Sequence, residues 1–366
     1  MGKFAFIIHP IELEDIYRKF NFMRYWPTRV VEGVMKRIPP FKVSDITGIE
    51  SSYGETSGWF ISCPLTSKQM VTLPQDYVIR KIIKAGKAAE ELGADVIGLG
   101  AMTSVVGDAG VTVAKNLNAA VTTGNSYTVA TALEGAKKAA ELMGVDREKA
   151  EILIVGATGS IGSVAARILA REAKYLTLLA RDERKLEYLA RQIISESGLA
   201  VRVTSNIKKA VPSADIIIAV TGSADAVIDV EDLKPGAIVC DVARPRDVSK
   251  KVAEKRDDIL VIEGGVVEVP GEVNFNFDFG FPPQTSYACM AETMILAMEN
   301  RYENFSLGRD IRVSQVDTIS ALAQKHGFQL AGFRSFEKAV SQEKILAIRE
   351  KVEKKHNSKP LFAKNI

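Results

Sequence analysis

Apolar and polar positions follow two alternating periods along the first third of the chain. Short apolar runs predict buried strands at residues 4–8, 94–100 and 120–123, and a hairpin from residues 46–52 and 58–63. Apolar residues at helical spacing predict helices over residues 11–20, 76–92 and 125–142. Because strands and helices alternate, this part of the chain is expected to form an α/β domain with a largely parallel sheet.

A second series of apolar runs begins at Ala150. It predicts six strands, at residues 152–155, 175–180, 200–204, 215–220, 237–242 and 260–262. Helical spacing over residues 161–172 and 184–196 separates the first three of them. This order is typical of a doubly wound parallel sheet that binds a nucleotide. We therefore expect an N-terminal α/β substrate domain (1–128), a nucleotide-binding domain (129–281) and a C-terminal helical region (282–366).

Composition narrows the classes of protein. The 366 residues are 46% hydrophobic and 25% charged, and the net charge is +3, which indicates neither nucleic acid nor an anionic membrane as a default partner. The start of the chain is interpreted as a first strand rather than a signal peptide, and no apolar run is long enough for a membrane span. Three separated cysteines and three histidines predict no disulfide framework and no metal centre, and a cytoplasmic location is expected.

A glycine-rich turn follows the first strand of the second series. Glycines at 156, 159 and 162 have the spacing G-x-x-G-x-x-G, a variant of the dinucleotide-binding fingerprint. The first permits the turn, the second lets a pyrophosphate approach the backbone, and the third lets helix and strand pack closely. The candidate cofactor-binding residues of this loop are Gly156, Thr158, Gly159, Ser160, Ile161 and Gly162.

Basic residues follow the second strand of this series. An NAD site usually places a carboxylate there, but this sequence has Arg181, with Arg184 close behind. A guanidinium at this position pairs with a 2′-phosphate, so NADPH is the expected cofactor, although Asp182 also lies within reach of the ribose. Two later turns are expected to border the nicotinamide end of the cofactor; their candidate residues are Thr221, Gly222, Gly264, Gly265 and Val266.

Cys289 is the candidate nucleophile. If Thr285 or Ser286 caps the helix that follows Pro283, Cys289 falls in the first helical turn, where backbone N–H groups favour a thiolate. Cys63 and Cys240 end or lie within apolar strands and are interpreted as packing residues. A thiolate beside a nicotinamide suggests acyl transfer to sulfur, followed by hydride reduction of the thioester to an aldehyde.

These blocks, in this order, resemble the long-chain fatty acyl-[acyl-carrier-protein] reductases of cyanobacteria. The similar stretches are residues 7–9, 99–104, 123–128, 155–163, 180–181, 264–268, 288–292 and 304–309. The resemblance implies NADPH-dependent reduction of a fatty acyl thioester, carried by acyl carrier protein or coenzyme A, to a fatty aldehyde. It implies Cys289 as the acyl acceptor and an aldehyde-consuming enzyme as a partner. The aromatic-rich residues 272–280 depart from that family's pattern.

Two further residues are candidates for catalysis. His9 is a candidate general acid, and Ser126, with Thr123 and Asn125, is a candidate second wall of the cleft, although helix capping accounts equally well for those three. Other functions stay open: a shikimate- or quinate-type dehydrogenase, a relative of glutamyl-tRNA reductase, and an NADP-binding sensor or scaffold without catalysis. Of these, a relative of glutamyl-tRNA reductase fits poorly. That enzyme's nucleophile belongs in the N-terminal domain, where Cys63 is a weak candidate.

Overall fold

The computed structural model describes residues 1–223, 226–243, 246–278, 280–336 and 338–357, without the side chains of residues 18, 19, 253, 356 and 357. It divides into two compact units. Unit 1 comprises Met1–Tyr127 and Val267–Gln329, and unit 2 comprises Thr128–Val266 and Leu330–Ile366. This division lies one residue from the boundary predicted after residue 128. Residues 282–366, which the sequence suggested as one helical region, are shared between both units.

Unit 1 is built from one five-stranded sheet and the helices around it. Its strands are β1 (Lys3–Ile8), β2 (Lys42–Ser51), β3 (Gly54–Ser62), β4 (Val96–Leu99) and β5 (Ala120–Thr122). Its helices are α1 (Leu13–Lys19), α2 (Thr28–Arg37), α3 (Ser67–Thr72), α4 (Gln75–Glu91) and α5 (Val111–Ala114). Two 3-10 turns cover Asn21–Tyr25 and Ala101–Ser104. The helix α6 (Asn125–Met143) begins at the end of this unit.

The sheet of unit 1 has the order β2-β3-β1-β4-β5. The strands β1, β3, β4 and β5 are parallel, and β2 runs antiparallel as the partner of β3 in the predicted hairpin. Since four parallel strands end at the same edge, the segments after Ile8, Leu99 and Thr122 all leave from that carboxyl edge. Apolar side chains of β1, β3 and β4 and of α4 form the core beneath it.

Unit 2 holds the doubly wound sheet that the sequence predicts. Its strands are β6 (Glu151–Val155), β7 (Tyr175–Leu179), β8 (Arg202–Thr204), β9 (Ile216–Ala219), β10 (Ile238–Asp241) and β11 (Leu260–Glu263). All pair in parallel, in the order β11-β10-β9-β6-β7-β8. Its helices include α7 (Ser160–Leu169), α8 (Glu183–Ser197), α9 (Ile207–Ala210) and α10 (Lys250–Lys255). This is the Rossmann arrangement, and the predicted fold class is confirmed.

The remaining elements follow residue 265. They are β12 (Val266–Glu268), β13 (Thr285–Tyr287), α11 (Ala288–Met298), α12 (Val313–His326), β14 (Gln329–Leu330), β15 (Phe333–Ser335), β16 (Lys338–Val340) and α13 (Gln342–Asn357). The aromatic-rich stretch before β13 packs within unit 1, where Phe275 stacks on Phe60 of β3. No helix among the described residues is both long and apolar enough to cross a bilayer.

Candidate active site

Cys289 is the second residue of α11 and therefore lies in its first turn, but the helix begins at a different residue from the one that the sequence suggested. Thr285 and Ser286 belong to the strand β13, and Tyr287 is the N-cap residue, without a side-chain hydrogen bond to the helix. The predicted cap by Thr285 or Ser286 is therefore wrong. Tyr287 thus gives this end no side-chain cap, and the positive end of the helix dipole at the start of α11 favours negative charge.

The backbone of Gly124 lies directly against Cys289. Gly124 has φ of +72°, and a Cβ atom there would lie 2.3 Å from both Cα and Cβ of Cys289. Only glycine combines this dihedral angle with this closeness. The turn between β5 and α6 therefore fixes the position of the first turn of α11.

Glu292 is a buried carboxylate one turn after Cys289, and the sequence interpretation missed it. The side chain is fully buried, in a helix whose other described residues are almost all apolar. Its Oε1 accepts hydrogen bonds from Thr122 Oγ1 (2.5 Å) and Ser306 Oγ (2.7 Å), and its Oε2 accepts one from the N–H of Tyr127 (2.7 Å). An acidic residue within an apolar helical stripe is the signal that would have identified it.

Burial raises the pKa of the Glu292 carboxyl above its ordinary value. Hydrogen bonds from Thr122, Tyr127, Ser306 and Gly124 act in the opposite direction. A buried carboxylate of this kind is stable only if it is well supplied with donors. Glu292 therefore ties the helix of Cys289 to the end of β5 and to Ser306.

Ser126, a predicted catalytic residue, lies in the same network. It is fully buried, its hydroxyl is 2.6 Å from Ser306 Oγ, and its N–H donates to Ser306 Oγ. Ser306 itself has a positive φ of 52°, and Thr123 donates to its carbonyl. The two serines thus connect the first turn of α6 to the segment that follows α11.

His9 lies at the end of β1 with both ring nitrogens engaged. Nδ1 is 3.0 Å from the carbonyl of Pro10, and Nε2 accepts a hydrogen bond of 3.1 Å from the N–H of Met102. Since a carbonyl can only accept, Nδ1 carries the proton and the ring is neutral. Burial lowers the pKa of His9, which favours the same neutral form. This geometry favours a structural role over proton donation.

The three cysteines differ in exposure. Cys289 is half-buried, whereas Cys63 and Cys240 are completely buried. Burial raises the pKa of the Cys63 thiol to about 12, which makes it a poor nucleophile. The Cys240 thiol points at the carbonyl of Ala132, 3.7 Å away. These surroundings agree with a packing role for the two buried residues.

The glycine loop of unit 2 has the form of a phosphate-binding turn. Gly156 has φ of +90°, and a Cβ on Gly162 would lie 2.3 Å from the carbonyl oxygen of Gly156. Gly159 is exposed and is the N-cap of α7, without a side-chain cap. Backbone N–H groups at the start of a ten-residue helix are thus left for a pyrophosphate, and the residues fit a dinucleotide.

Thr158, Ser160 and Ile161 flank Gly159 and are half-buried. Arg181 and Arg184 follow β7 and are exposed. Asp182, which the sequence left as an alternative ribose ligand, is the N-cap of α8: its Oδ1 accepts from the N–H of Lys185 (3.1 Å). With this carboxylate engaged in capping, Arg181 is the charged group at the strand end that favours a 2′-phosphate.

Thr221 and Gly222 follow β9. The N–H of Thr221 donates to Asp247 Oδ2 (2.7 Å), and its hydroxyl donates to Asp247 Oδ1. Asp247 is fully buried, burial raises the pKa of its carboxyl, and sequence interpretation missed it. Among the described residues, no atom other than those of Gly222 and its two chain neighbours lies within 4 Å of where a Cβ on Gly222 would stand.

Gly264, Gly265 and Val266 follow β11 in unit 2. A Cβ on Gly264 would lie 2.8 Å from a methyl carbon of Val242, and Gly265 has φ of +83°. Val266 is buried. This turn therefore requires glycine at both positions, as expected for backbone that approaches a ligand closely.

The Rossmann sheet with its open glycine loop defines a protein of the NAD(P)-dependent oxidoreductase type. The family model for shikimate / quinate 5-dehydrogenase matches residues 136–262, which lie within unit 2. That match and the loop confirm the prediction of a nicotinamide cofactor, with Arg181 favouring NADP(H).

Two curated proteins are similar over most of the chain. The aminotransferase PigE of Serratia sp. (strain ATCC 39006) is 30% identical over 95% of this chain, which spans 42% of PigE. The long-chain acyl-[acyl-carrier-protein] reductase of Synechococcus elongatus is 28% identical over 89% of this chain and 98% of that protein. Among solved structures, quinate dehydrogenase from Corynebacterium glutamicum in complex with NAD has a TM-score of 0.37 at 14% identity, over 87% of this chain and 98% of that chain.

Proposed function

We propose that this protein reduces a long-chain fatty acyl thioester to a fatty aldehyde with NADPH. The observation that carries the proposal is the setting of Cys289: half-buried, in the first turn of α11 at the positive end of the helix dipole, with its backbone against Gly124. The similarity to a long-chain acyl-[acyl-carrier-protein] reductase supports the substrate class. Acyl carrier protein is the proposed carrier, with coenzyme A as the alternative.

In the first half-reaction, Cys289 Sγ attacks the thioester carbonyl carbon. The bond from that carbon to the carrier sulfur breaks, and the carrier leaves as a thiol after it takes up one proton. The positive end of α11 favours the thiolate before attack, and backbone N–H groups at this end are the candidate donors to the oxyanion. The acyl group is then bound to Cys289 as a new thioester.

When bound, NADPH supplies a hydride for the second half-reaction. The residues that would hold it are the glycine loop at 156–162 and Arg181, and the turns at Thr221 and Gly264 would border its nicotinamide end. With hydride on the acyl carbon and a proton taken up, the bond from that carbon to Cys289 Sγ breaks. Aldehyde leaves and the thiol is restored. Because fatty aldehydes react with amines, a consuming enzyme remains part of the proposal.

Glu292 and Ser126 are proposed as positioning residues in this mechanism. Their hydrogen bonds hold the turn at Gly124, and that turn lies against Cys289. His9, whose ring nitrogens are both engaged, is proposed to stabilise the turn that contains Met102 rather than to transfer a proton.

A test of the proposal measures the acyl-enzyme directly. Purified protein mixed with a fatty acyl thioester should gain the mass of one acyl group on Cys289, and NADPH should release that group as aldehyde. Replacing Cys289 with Ala should abolish the adduct and lower aldehyde formation by at least about a thousandfold, while NADPH binding remains. The matched control is Cys240→Ala, which removes a buried thiol and should leave acylation intact. An adduct that persists in Cys289→Ala refutes the proposal.

The match to the shikimate / quinate 5-dehydrogenase model favours a second candidate, a dehydrogenase of a small polar alcohol. Such an enzyme needs no cysteine, so Cys289→Ala would keep its turnover. A sensor that binds NADP without catalysis would show neither adduct nor turnover.

A further inference from the structure

An exposed aromatic patch lies on the segment that connects β1 to β2. We define it by four side chains, each exposed by the fraction given: Phe22 (56%), Tyr25 (86%), Trp26 (40%) and Val30 (47%). Phe22 and Trp26 are in edge-to-face contact, with ring centroids 5.7 Å apart. Large apolar side chains that are clustered and exposed in this way mark a surface that binds something.

The segment has a core of its own that does not use this patch. Ile16, Met23, Val31 and Met35, from α1, the 3-10 turn and α2, pack together and are buried. The patch residues lie on the other side of the same turns, so folding of the segment does not require them to be aromatic. Their exposure is therefore a property of the folded segment rather than a gap in its packing.

Charge distinguishes the kinds of partner that this patch fits. Residues 20–30 contain two arginines, Arg24 and Arg29, and no carboxylate. Both arginines are exposed, and Arg24 forms a solvent-exposed ion pair of 3.5 Å with Glu14. Tryptophan and tyrosine prefer the boundary between lipid headgroups and acyl chains, and arginine binds anionic headgroups. The combination of aromatic rings and arginines fits the surface of an anionic bilayer.

The patch also has a defined place in unit 1. The segment leaves the sheet immediately after β1, at the carboxyl edge, where the turn at Gly124 contacts Cys289. His9 fixes this exit through its bond to Met102 after β4. We propose that the aromatic patch docks unit 1 reversibly on an anionic membrane surface, with Phe22, Tyr25 and Trp26 inserted among the headgroups. This proposal does not depend on the reaction that the protein catalyses.

The test is flotation of the full-length protein with vesicles of phosphatidylcholine, alone or mixed with phosphatidylglycerol. Wild-type protein should float with the mixed vesicles and less with phosphatidylcholine alone. Phe22→Ser/Tyr25→Ser/Trp26→Ser should lower binding by at least about tenfold. Arg24→Gln/Arg29→Gln should lower binding to the mixed vesicles only. The matched control is Tyr188→Ser, which removes a 72% exposed aromatic ring from α8 of unit 2 and should bind as wild type does.

A second measurement reports on Trp26 itself. The sequence contains two tryptophans, so Trp59→Phe leaves Trp26 as the sole indole fluorophore. Its emission should shift to shorter wavelength when mixed vesicles are added, and brominated lipids should quench it. Cys289→Ala should bind vesicles like wild type, which separates this proposal from the proposed reaction.

Three results would overturn the membrane proposal. The first is that wild-type protein binds neither kind of vesicle. The second is that the triple variant folds and still binds vesicles as wild type does. The third is that wild-type protein binds purified acyl carrier protein but no vesicle, and that the triple variant loses this protein binding. The last result would assign the patch to a protein partner.

Discussion

Each unit contains a turn that leads from a parallel strand into a helix. In one of these turns the start of the helix is open, and in the other it is occupied by an acceptor from the chain itself. In unit 2, the turn from β6 to α7 leaves the start of the helix uncapped, with Gly159 exposed. In unit 1, the turn from β5 to α6 receives the carboxylate of Glu292, which accepts from Tyr127, and the hydroxyl of Ser306, which accepts from Ser126. Both turns contain a glycine with positive φ, Gly156 and Gly124.

The difference shows how one local structure serves two purposes. An uncapped helix start can bind an anion from outside, and in unit 2 the proposed anion is the pyrophosphate of a dinucleotide. In unit 1 the chain supplies its own acceptor, the Glu292 carboxyl, so the turn is already occupied. These hydrogen bonds hold the glycine backbone against which Cys289 lies.

The largest expected effect comes from Gly124→Ala. Alanine at φ of +72° is strained, and its methyl group would overlap the backbone of Cys289. We expect the free energy of unfolding to fall by about 3 kcal/mol, and acylation of Cys289 to be lost. Chemical denaturation and intact-mass analysis of the acyl adduct measure the two effects. NADPH binding should persist wherever the variant is folded; full acylation in a variant of wild-type stability would contradict the contact.

Gly159→Val tests the turn of unit 2, and here the affinity for NADPH rather than the acylation of Cys289 is expected to change. Gly159 is exposed and has φ of −78°, but a Cβ there would lie 3.3 Å from the carbonyl oxygen of Gly156, so the substitution should lower the stability by about 1 kcal/mol. The added side chain would occupy the approach of the pyrophosphate, and the affinity for NADPH should fall by about a hundredfold. Titration calorimetry measures the affinity. Acylation of Cys289 should continue, and unchanged NADPH binding would show that the cofactor does not use this turn.

Glu292→Gln tests the hydrogen bonds that Glu292 accepts at the turn between β5 and α6. The amide has the size of the carboxyl group but presents N–H groups to at least one of the donors from Thr122, Ser306 and Tyr127. An unsatisfied buried donor costs about 2 kcal/mol, so the free energy of unfolding should decrease by that amount. The rate of acylation should fall while NADPH affinity stays constant. Glu292→Asp should recover part of both losses, whereas equal stability of the Gln variant would argue against the network.

His9→Asn is expected to have the smallest effect, a change in how the free energy of unfolding depends on pH. Because burial lowers the pKa of His9, the unfolded chain binds a proton more readily than the folded one near and below pH 6.5. His9 therefore contributes to stability above that pH, and the contribution is lost as the pH falls towards the lower pKa of the folded state. The difference in unfolding free energy between wild type and His9→Asn should shrink on acidification. A difference that grows on acidification would contradict the neutral ring.

Sequence patterns identified the parts of the site that depend on local backbone geometry. The spacing of Gly156, Gly159 and Gly162 predicted a strand, a tight turn and a helix, because Gly156 and Gly162 stand where the local backbone leaves no room for a side chain. The cap assigned to Thr285 or Ser286 was wrong because these residues form a strand instead, next to the bond from Val269 N–H to the Gln284 carbonyl. Strand pairing with a distant segment overrode a local capping preference.

Glu292 could not be predicted in its role, because its partners come from elsewhere in the chain. Thr122 and Tyr127 precede it by more than 160 residues, and Ser306 follows it by 14. Tertiary structure alone decides whether an acidic residue in an apolar helix is paired, exposed or mobile. Asp247 was missed for the same reason, since its role depends on the hydrogen bond that it accepts from the N–H of Thr221, 26 residues earlier in the chain.

The late position of Ser306 has a consequence during protein synthesis. Cys289 leaves the ribosome before Ser306 does, so the nascent chain exposes its cysteine while Glu292 still lacks one of its donors. The proposed nucleophile reaches its final surroundings only once the polypeptide has grown past the segment that pairs beside β5. Assembly of this candidate site is thereby postponed until both ends of its scaffold have been translated.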